Sequence, residues 1–321
     1  MIFSWESLPK PFTVLAPMDD VTDTVFRQVV VSVYKPDVMM TEFVCVEGLC
    51  SEGRAALLQK LTYSAKERPL VAQVWGVTPD KFYESAKFIV SLGFDGIDIN
   101  MGCPQRTVMK TGGGAALIEK PELVSKIIKA TRDGIREMNA HIPLSVKTRI
   151  GIKQKNTDAW IRHLLLSHLD ALTVHGRTAK DQSKVPAQWE EIQKAVDLRD
   201  KIDPHTVIIG NGDILSHSMA LDYSHRYKTD GGMIGRGIFH MINCFDPNAI
   251  PFTQKQLLDV LDLHLQLFIK TYGSDSPKFV GMKKFFKVYI RDFEGSSALR
   301  MRFMEAKTAS EAREMISTMS L

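Results

Sequence analysis

Little in this chain points to a secreted, membrane-borne or metal-clipped protein. Four cysteines, at 45, 50, 103 and 244, are too few and too scattered in 321 residues for a disulfide framework, and no C-x-x-C pair offers a metal clip. A reducing compartment is the expectation. No run of ~18 consecutive apolar residues occurs, which removes a spanning helix. The opening Met-Ile-Phe-Ser-Trp-Glu lacks the basic stretch and apolar core of a secretory signal, so a cytoplasmic location is expected, with no membrane and no metal. Neither sign of charge dominates. The 41 basic and 37 acidic side chains leave +4, and such a balance is silent about nucleic acid, because phosphate binding depends on where charges cluster. No G-x-x-x-x-G-K-[ST] and no strand-linked G-x-G-x-x-G is present, so an ATPase or a Rossmann site finds no support. With 44% apolar and 24% charged residues, disorder and low complexity are excluded as well.

What is present is a rhythm. Eight short apolar runs rich in branched residues each precede a polar or glycine-containing corner and then a helical pattern: Thr13–Ala16, Val38–Thr41, Leu70–Val74, Gly96–Ile99, Leu144–Lys147, Ala171–Val174, Val207–Gly210 and Gly231–Ile234. Continuous apolar runs suit strands buried on both faces, and eight is the number a closed parallel barrel needs. Helical stripes fall between them, as in Pro79–Leu92 and Pro121–Met138, each with proline at its start. No sequence-similar repeat is evident beyond this alternation. After about residue 245 the rhythm stops, and the segment 245–251, holding Pro247 and Pro251, reads as a boundary. Three helical stretches follow: one from Thr253 with Leu257, Leu258, Leu261, Leu265 and Phe268 on a stripe, one over Phe279–Asp292, and one over Ser296–Ser320. The predicted architecture is an α/β chain, a (β/α)8 TIM barrel over 1–245 followed by a small all-helical domain over 246–321.

Barrels of this class do their chemistry where strands end. The residues found there are Pro17 and Met18, Glu42, Gln73, Asn100 and Cys103, Lys147 and Arg149, His175 and Arg177, Asn211, Gly212 and Asp213, and finally Gly235 and Arg236. Taken singly, each is readily a loop cap. Nearly every strand, however, delivers a polar group to one rim, where a structural rim would more often carry Asp, Ser or Thr caps. The last two corners, Gly210-Asn211-Gly212-Asp213 and Gly235-Arg236-Gly237, put permissive backbone and a guanidinium after strands seven and eight, a common phosphate-binding place in barrels and equally a pair of tight turns. Cys103 is either a small buried hydrophobe or a proton donor, since a thiol with a pKa of ~8.5 is mostly protonated at neutral pH. Gly112-Gly113-Gly114 is a close-approach loop, a lid or a linker. Lys147 at a strand end also suits Schiff-base chemistry in an aldolase-like barrel.

Together the corners resemble the dihydrouridine synthase family, flavin enzymes that reduce uridine in transfer RNA. The matching pieces are Leu15-Ala16-Pro17-Met18 with Val21-Thr22-Asp23, Thr41-Glu42-Phe43, Asn100-Met101-Gly102-Cys103-Pro104, Gly112-Gly113-Gly114-Ala115, Ser145-Val146-Lys147, Val174-His175-Gly176-Arg177-Thr178, Gly210-Asn211-Gly212-Asp213 and Met233-Ile234-Gly235-Arg236-Gly237. The resemblance implies FMN on the rim, contacted by Pro17, Met18, Asp19, Gln73, Lys147, His175, Asn211, Gly212, Asp213, Gly235 and Arg236. It also implies Cys103 as general acid, NADPH as reductant, and tRNA as the partner of a monomeric enzyme. Asn100, Arg149 and Arg177 would face the substrate. The chain departs from the family pattern at Asp19-Asp20 and over Thr178–Ser183, and the second departure is expected to affect substrate contacts more than flavin binding. A pyrimidine-precursor dehydrogenase shares the flavin, the cysteine and the barrel but needs no basic appendage. A non-catalytic RNA-binding protein would need neither Cys103 nor Lys147.

The tail holds 11 basic and 9 acidic groups over 246–321. Lys278, Lys283, Lys284, Lys287 and Arg291 precede any acid in the second helical stretch, and Lys283, Lys287 and Arg291 fall at i, i+4 spacing, a candidate RNA-facing stripe or simply a solvated face. Phe279, Phe285, Phe286 and Tyr289 between them read as core.

Overall fold

The computed structural model describes residues 3–319; Met1, Ile2, Ser320 and Leu321, and with them the outer ends of the two expected domains, lie outside the described residues. All eight predicted runs are strands: β1 (Phe12–Leu15), β2 (Val38–Met40), β4 (Leu70–Trp75), β5 (Gly96–Met101), β6 (Leu144–Arg149), β7 (Ala171–His175), β8 (Val207–Asn211) and β9 (Gly231–Ile234), with a two-residue strand β3 (Val44–Cys45) that the sequence did not reveal. Every pairing is parallel, and the register of β1 on β9 together with that of β2 on β4 closes the cylinder. β3 continues β2 after a bulge. Met40 pairs with Val71 and Val44 with Val74, so the Thr41–Phe43 segment inserts one extra residue opposite β4. Thr41 Oγ1 takes the ladder bond from Gln73 N at 3.1 Å, which satisfies the backbone where the strand is interrupted.

Apolar side chains facing into the cylinder, among them Val14, Val38, Val71, Ala171, Val207 and Ile209, form an inner core, and the N-terminal segment closes its floor with Trp5, which is buried against Phe12. The outer core lies between strands and helices. The helices Pro79–Ser91 and Pro121–Glu137 carry their predicted stripes and approach so closely that a side chain at Gly134 would meet the Tyr83 carbonyl.

The floor also carries a repeat, an aspartate directly before alternate apolar runs. Asp37, Asp95, Asp170 and Asp230 each stand immediately before a strand, and each carboxylate accepts from a main-chain N–H at the start of the strand before it: Thr13 at 2.7 Å, Leu70 at 2.8 Å, Leu144 at 2.8 Å and Ile208 at 2.7 Å. Four clamps thus tie β1 to β2, β4 to β5, β6 to β7 and β8 to β9.

Beyond the barrel, helix Gln254–Tyr272 begins at a capping box made by Thr253 and Gln256 and packs on the barrel's first helix, Thr24–Val33. Phe26 stacks on Phe285 with ring centroids 4.9 Å apart, and Tyr272 Oη donates to Asp23 Oδ2 at 3.1 Å. The second helical stretch needs correction. It is not one helix but Phe279–Met282, a tight 3-10 turn over Lys283–Phe285, and Phe286–Tyr289, with Ile290 outside helical geometry. The third stretch is likewise two helices, Ser296–Glu305 and Ala309–Ser317. Among the described residues, no helix is long and apolar enough to cross a membrane.

Candidate active site

The strand ends enclose a cleft of about 450 Å³, lined by the apolar Ala16, Pro17, Met18 and Met233, by the polar Lys147, Arg149, Asn211 and Arg236, and by Cys103. Lys147 leaves β6 beside Asn100 of β5, and its ammonium donates to Asn211 Oδ1 at 2.9 Å, while Asn211 Nδ2 donates to the Met233 carbonyl at 2.8 Å. Burial and the neighbouring Arg149 pull the lysine down to about 8, against the opposing pull of Asp98. Arg149, also buried, is lowered to about 10 by burial, and its bonds go to main-chain carbonyls, Gly102 at 2.7 Å and Thr178 at 3.2 Å. The wall therefore concentrates positive charge that its own carboxylates leave uncompensated. Arg236 adds a side chain that is 59% exposed and stands 3.7 Å from Asp213.

Cys103 is 9% exposed, and burial pushes its thiol above the ordinary value, so it holds its proton through the neutral range. Its loop is held on three sides. Asn100 Oδ1 accepts from Gly102 N at 3.1 Å and Cys103 N at 2.9 Å, Ala115 N donates to the Cys103 carbonyl at 3.0 Å, and Arg149 takes the Gly102 carbonyl. Gly114 lies at φ 57°, with the Cys103 carbonyl 2.8 Å from where a Cβ would stand. The glycine loop is thus a close-approach piece packed under Cys103.

Several predicted contacts fall elsewhere. Gln73 does not reach the cleft wall; it is fully buried, with its amide between Asp98 and Asn100. Asn100 lines the cleft, but its carbonyl oxygen serves the Cys103 loop. Asp213 is paired with Arg177, which donates from Nη2 to both carboxylate oxygens at 2.6 and 2.5 Å, so neither presents a free charge. Arg177 Nη1 can only donate, so His175 Nε2, 3.3 Å away, accepts; burial, then Arg149, holds that imidazole neutral well below its usual range. Asp19 lines the cleft but pairs with the Lys60 ammonium. Asp19, Asp20 and Glu42 bring carboxylate oxygens within 4.8 Å of one another, and Lys60, 3.7 Å from Glu42, supplies the cation there. Pro17, Met18, Gly212 and Gly235 line the cleft as expected.

The basic stripe is dismantled by the break in its helix. Lys283 donates to the Met304 carbonyl at 2.8 Å, Arg291 to the Phe239 carbonyl of the barrel at 3.1 Å, and Lys284 to the Asp20 carbonyl. Lys287 is left exposed. Unforeseen members of the cleft are Phe43, presented by the bulge, together with Gln105 and His240.

The family model for Dihydrouridine synthase (Dus) matches residues 14–320. The chain belongs to the dihydrouridine synthase family. It is 42% identical over 314 residues to a probable tRNA-dihydrouridine synthase of Staphylococcus aureus strain COL, covering 97% of this chain and 94% of that one. It is 39% identical to a probable tRNA-dihydrouridine synthase 2 of Bacillus subtilis strain 168, covering 97% and 95%. Among solved structures, a 2-naphthoyl-CoA reductase complex superposes with a TM-score of 0.52 at 12% identity, over 71% of this chain and 48% of that one, a likeness of barrel fold alone. In this dihydrouridine synthase family member, the asparagine, cysteine, lysine and histidine of the family-like motifs all converge on one cleft.

Proposed function

We propose that the protein is a tRNA-dihydrouridine synthase that reduces the C5–C6 double bond of a uracil base with FMN, which NADPH reloads. The observation that carries the reading is the pairing of a proton-holding thiol, Cys103, with a cation-walled cleft in a chain of this family. The donor set fits FMN. The apolar lining of Pro17, Met18 and Met233 suits a planar ring system, and Lys147 and Arg149, which pair with no carboxylate, together with the largely exposed Arg236, suit an anion. Gly235 lines the cleft beside Arg236, and a Cβ there would make only ordinary contact with Ala16 at 3.5 Å and Met18 at 3.9 Å, which supports a phosphate place at this corner.

FMN bound there would supply a hydride for C6 of the base. Cys103 gives the proton to C5, and the raised thiol value keeps that proton available. Lys147, fixed by Asn211, would hold a positive charge beside the flavin, and Arg236 with the Gly235 backbone would hold its phosphate. The uracil must leave its stack to enter the cleft, at a cost of a few kcal/mol that a loop of the RNA lessens. The helical part over 246–321 would receive the rest of the RNA, with Lys287 as its exposed cation from the predicted stripe.

The decisive experiment combines colour and product. Purified protein should carry FMN, NADPH should bleach it, and unmodified tRNA should then gain dihydrouridine. A protein that binds no flavin, or a deletion strain whose tRNA keeps its full dihydrouridine content without a redundant enzyme, overturns the reading.

A further inference from the structure

We propose that Asp98, inside the barrel below the rim, is the positioning residue that sets the direction of the Cys103 loop through a polarised chain of two side-chain amides. The role rests on the reading of Cys103 as proton donor, although the chain of bonds does not.

An ionised carboxylate only accepts hydrogen bonds, and a main-chain N–H only donates. Asp98 is fully buried on β5; its Oδ1 accepts from Ser145 Oγ and its Oδ2 from Gln73 Nε2, both at 2.7 Å. Gln73 must therefore turn its carbonyl the other way, where Oε1 accepts from Asn100 Nδ2 at 2.9 Å. Asn100 in turn presents Oδ1 to the N–H groups of Gly102 and Cys103. Each amide, if flipped, would break a bond at both of its ends. The two ends of the chain demand the same direction, carboxylate at one and loop N–H groups at the other.

The carboxylate imposes that direction from inside the barrel, with no dependence on where the loop lies. An amide at position 98 would satisfy Gln73 in either orientation, and the reversed chain would set Asn100 Nδ2 against two N–H donors. The loop would then be free to move away from the cleft. Asp98 has a second connection to the rim. The register of β5 on β6 pairs Asp98 with Ser145 and Asn100 with Lys147, and the Asp98 charge opposes the loss of the Lys147 proton. Burial raises Asp98 itself to about 6, and the bonds from Ser145 and Gln73 hold it ionised near neutrality.

The test reads Cys103 directly. Purified holoenzyme is treated with iodoacetamide, and alkylation at Cys103 is separated by peptide mass from that at Cys45, Cys50 and Cys244. Asp98→Asn should raise the Cys103 rate about tenfold, as the exchange of a charge-assisted bond for a neutral one allows, and should lower kcat while leaving the KM for tRNA unchanged. Combining Asp98→Asn with Gln73→Glu moves the carboxylate one step along the chain, where it still accepts from Asn100; alkylation should return towards the wild-type rate. A role in packing alone predicts that the double variant is worse than the single. The proposal fails if Asp98→Asn leaves alkylation unchanged or if the double variant does not recover. Should Asp98→Asn not fold, Gln73→Leu cuts the same chain and leaves Asp98 with Ser145; unchanged alkylation there also overturns the proposal. Failure of the enzymatic reading would appear separately, as absent dihydrouridine with the alkylation pattern intact.

Discussion

The two ends of the barrel solve different problems. At the floor one device is used four times, an aspartate before a strand holding the start of the strand before it. At the rim no two strand ends carry the same pattern, and the groups that gather there are cations with few free counter-charges. The floor gains stability from repetition, so the loss of one clamp is local. The rim concentrates charge that the fold itself does not need, which is the signature of a surface arranged for a ligand.

The comparison is sharpest at Cys103. Cys103→Ala should lower dihydrouridine formation by about 10²- to 10⁴-fold, the range for loss of a general acid, while flavin content and melting temperature stay as they are. Persistent turnover would move the acid elsewhere. Next is Lys147, whose value near 8 makes its charge present below that pH and lost above it. FMN retention should weaken as pH rises from about 7 to about 9, and Lys147→Met should bind FMN roughly tenfold less tightly with that pH slope gone, as titration of flavin fluorescence would show. A slope that survives the substitution would assign the titration to another group.

The floor should answer in stability instead. Asp170→Ala leaves the Leu144 N–H without its carboxylate and should cost about 1–3 kcal/mol in denaturant unfolding, with kcat unchanged. Adding Asp37→Ala should give a sum accurate to about 0.5 kcal/mol, because the clamps share no partner. Strong coupling between them would mean that the floor acts as one unit.

Much of this was legible in the chain. The eight strands announced themselves because a strand buried on both faces must be apolar throughout, and the rim followed from where those runs stop. Trp5 did not, since an irregular plug has no period to detect. The Thr41–Phe43 bulge escaped because a one-residue mismatch exists only relative to a partner strand. Pairing of Arg177 with Asp213, both in the cleft lining, joins residues whose separation in sequence hides their contact. Asp98 went unnoticed inside a run counted for its apolar neighbours. The i, i+4 spacing of Lys283, Lys287 and Arg291 does not make one helical face, because the 3-10 turn at Lys283–Phe285 and the non-helical Ile290 interrupt the helix.

The stacking of Phe26 on Phe285 bears on how the molecule comes apart. Buried side chains from both sides of the Phe245–Pro251 segment belong to one continuous apolar cluster, which includes Phe26, Leu261 and Phe286. Neither portion can lose its order without wetting the other. Heating should therefore give one cooperative calorimetric transition, and the helical tail behaves as a wall of the same building, with no seam along which it could swing.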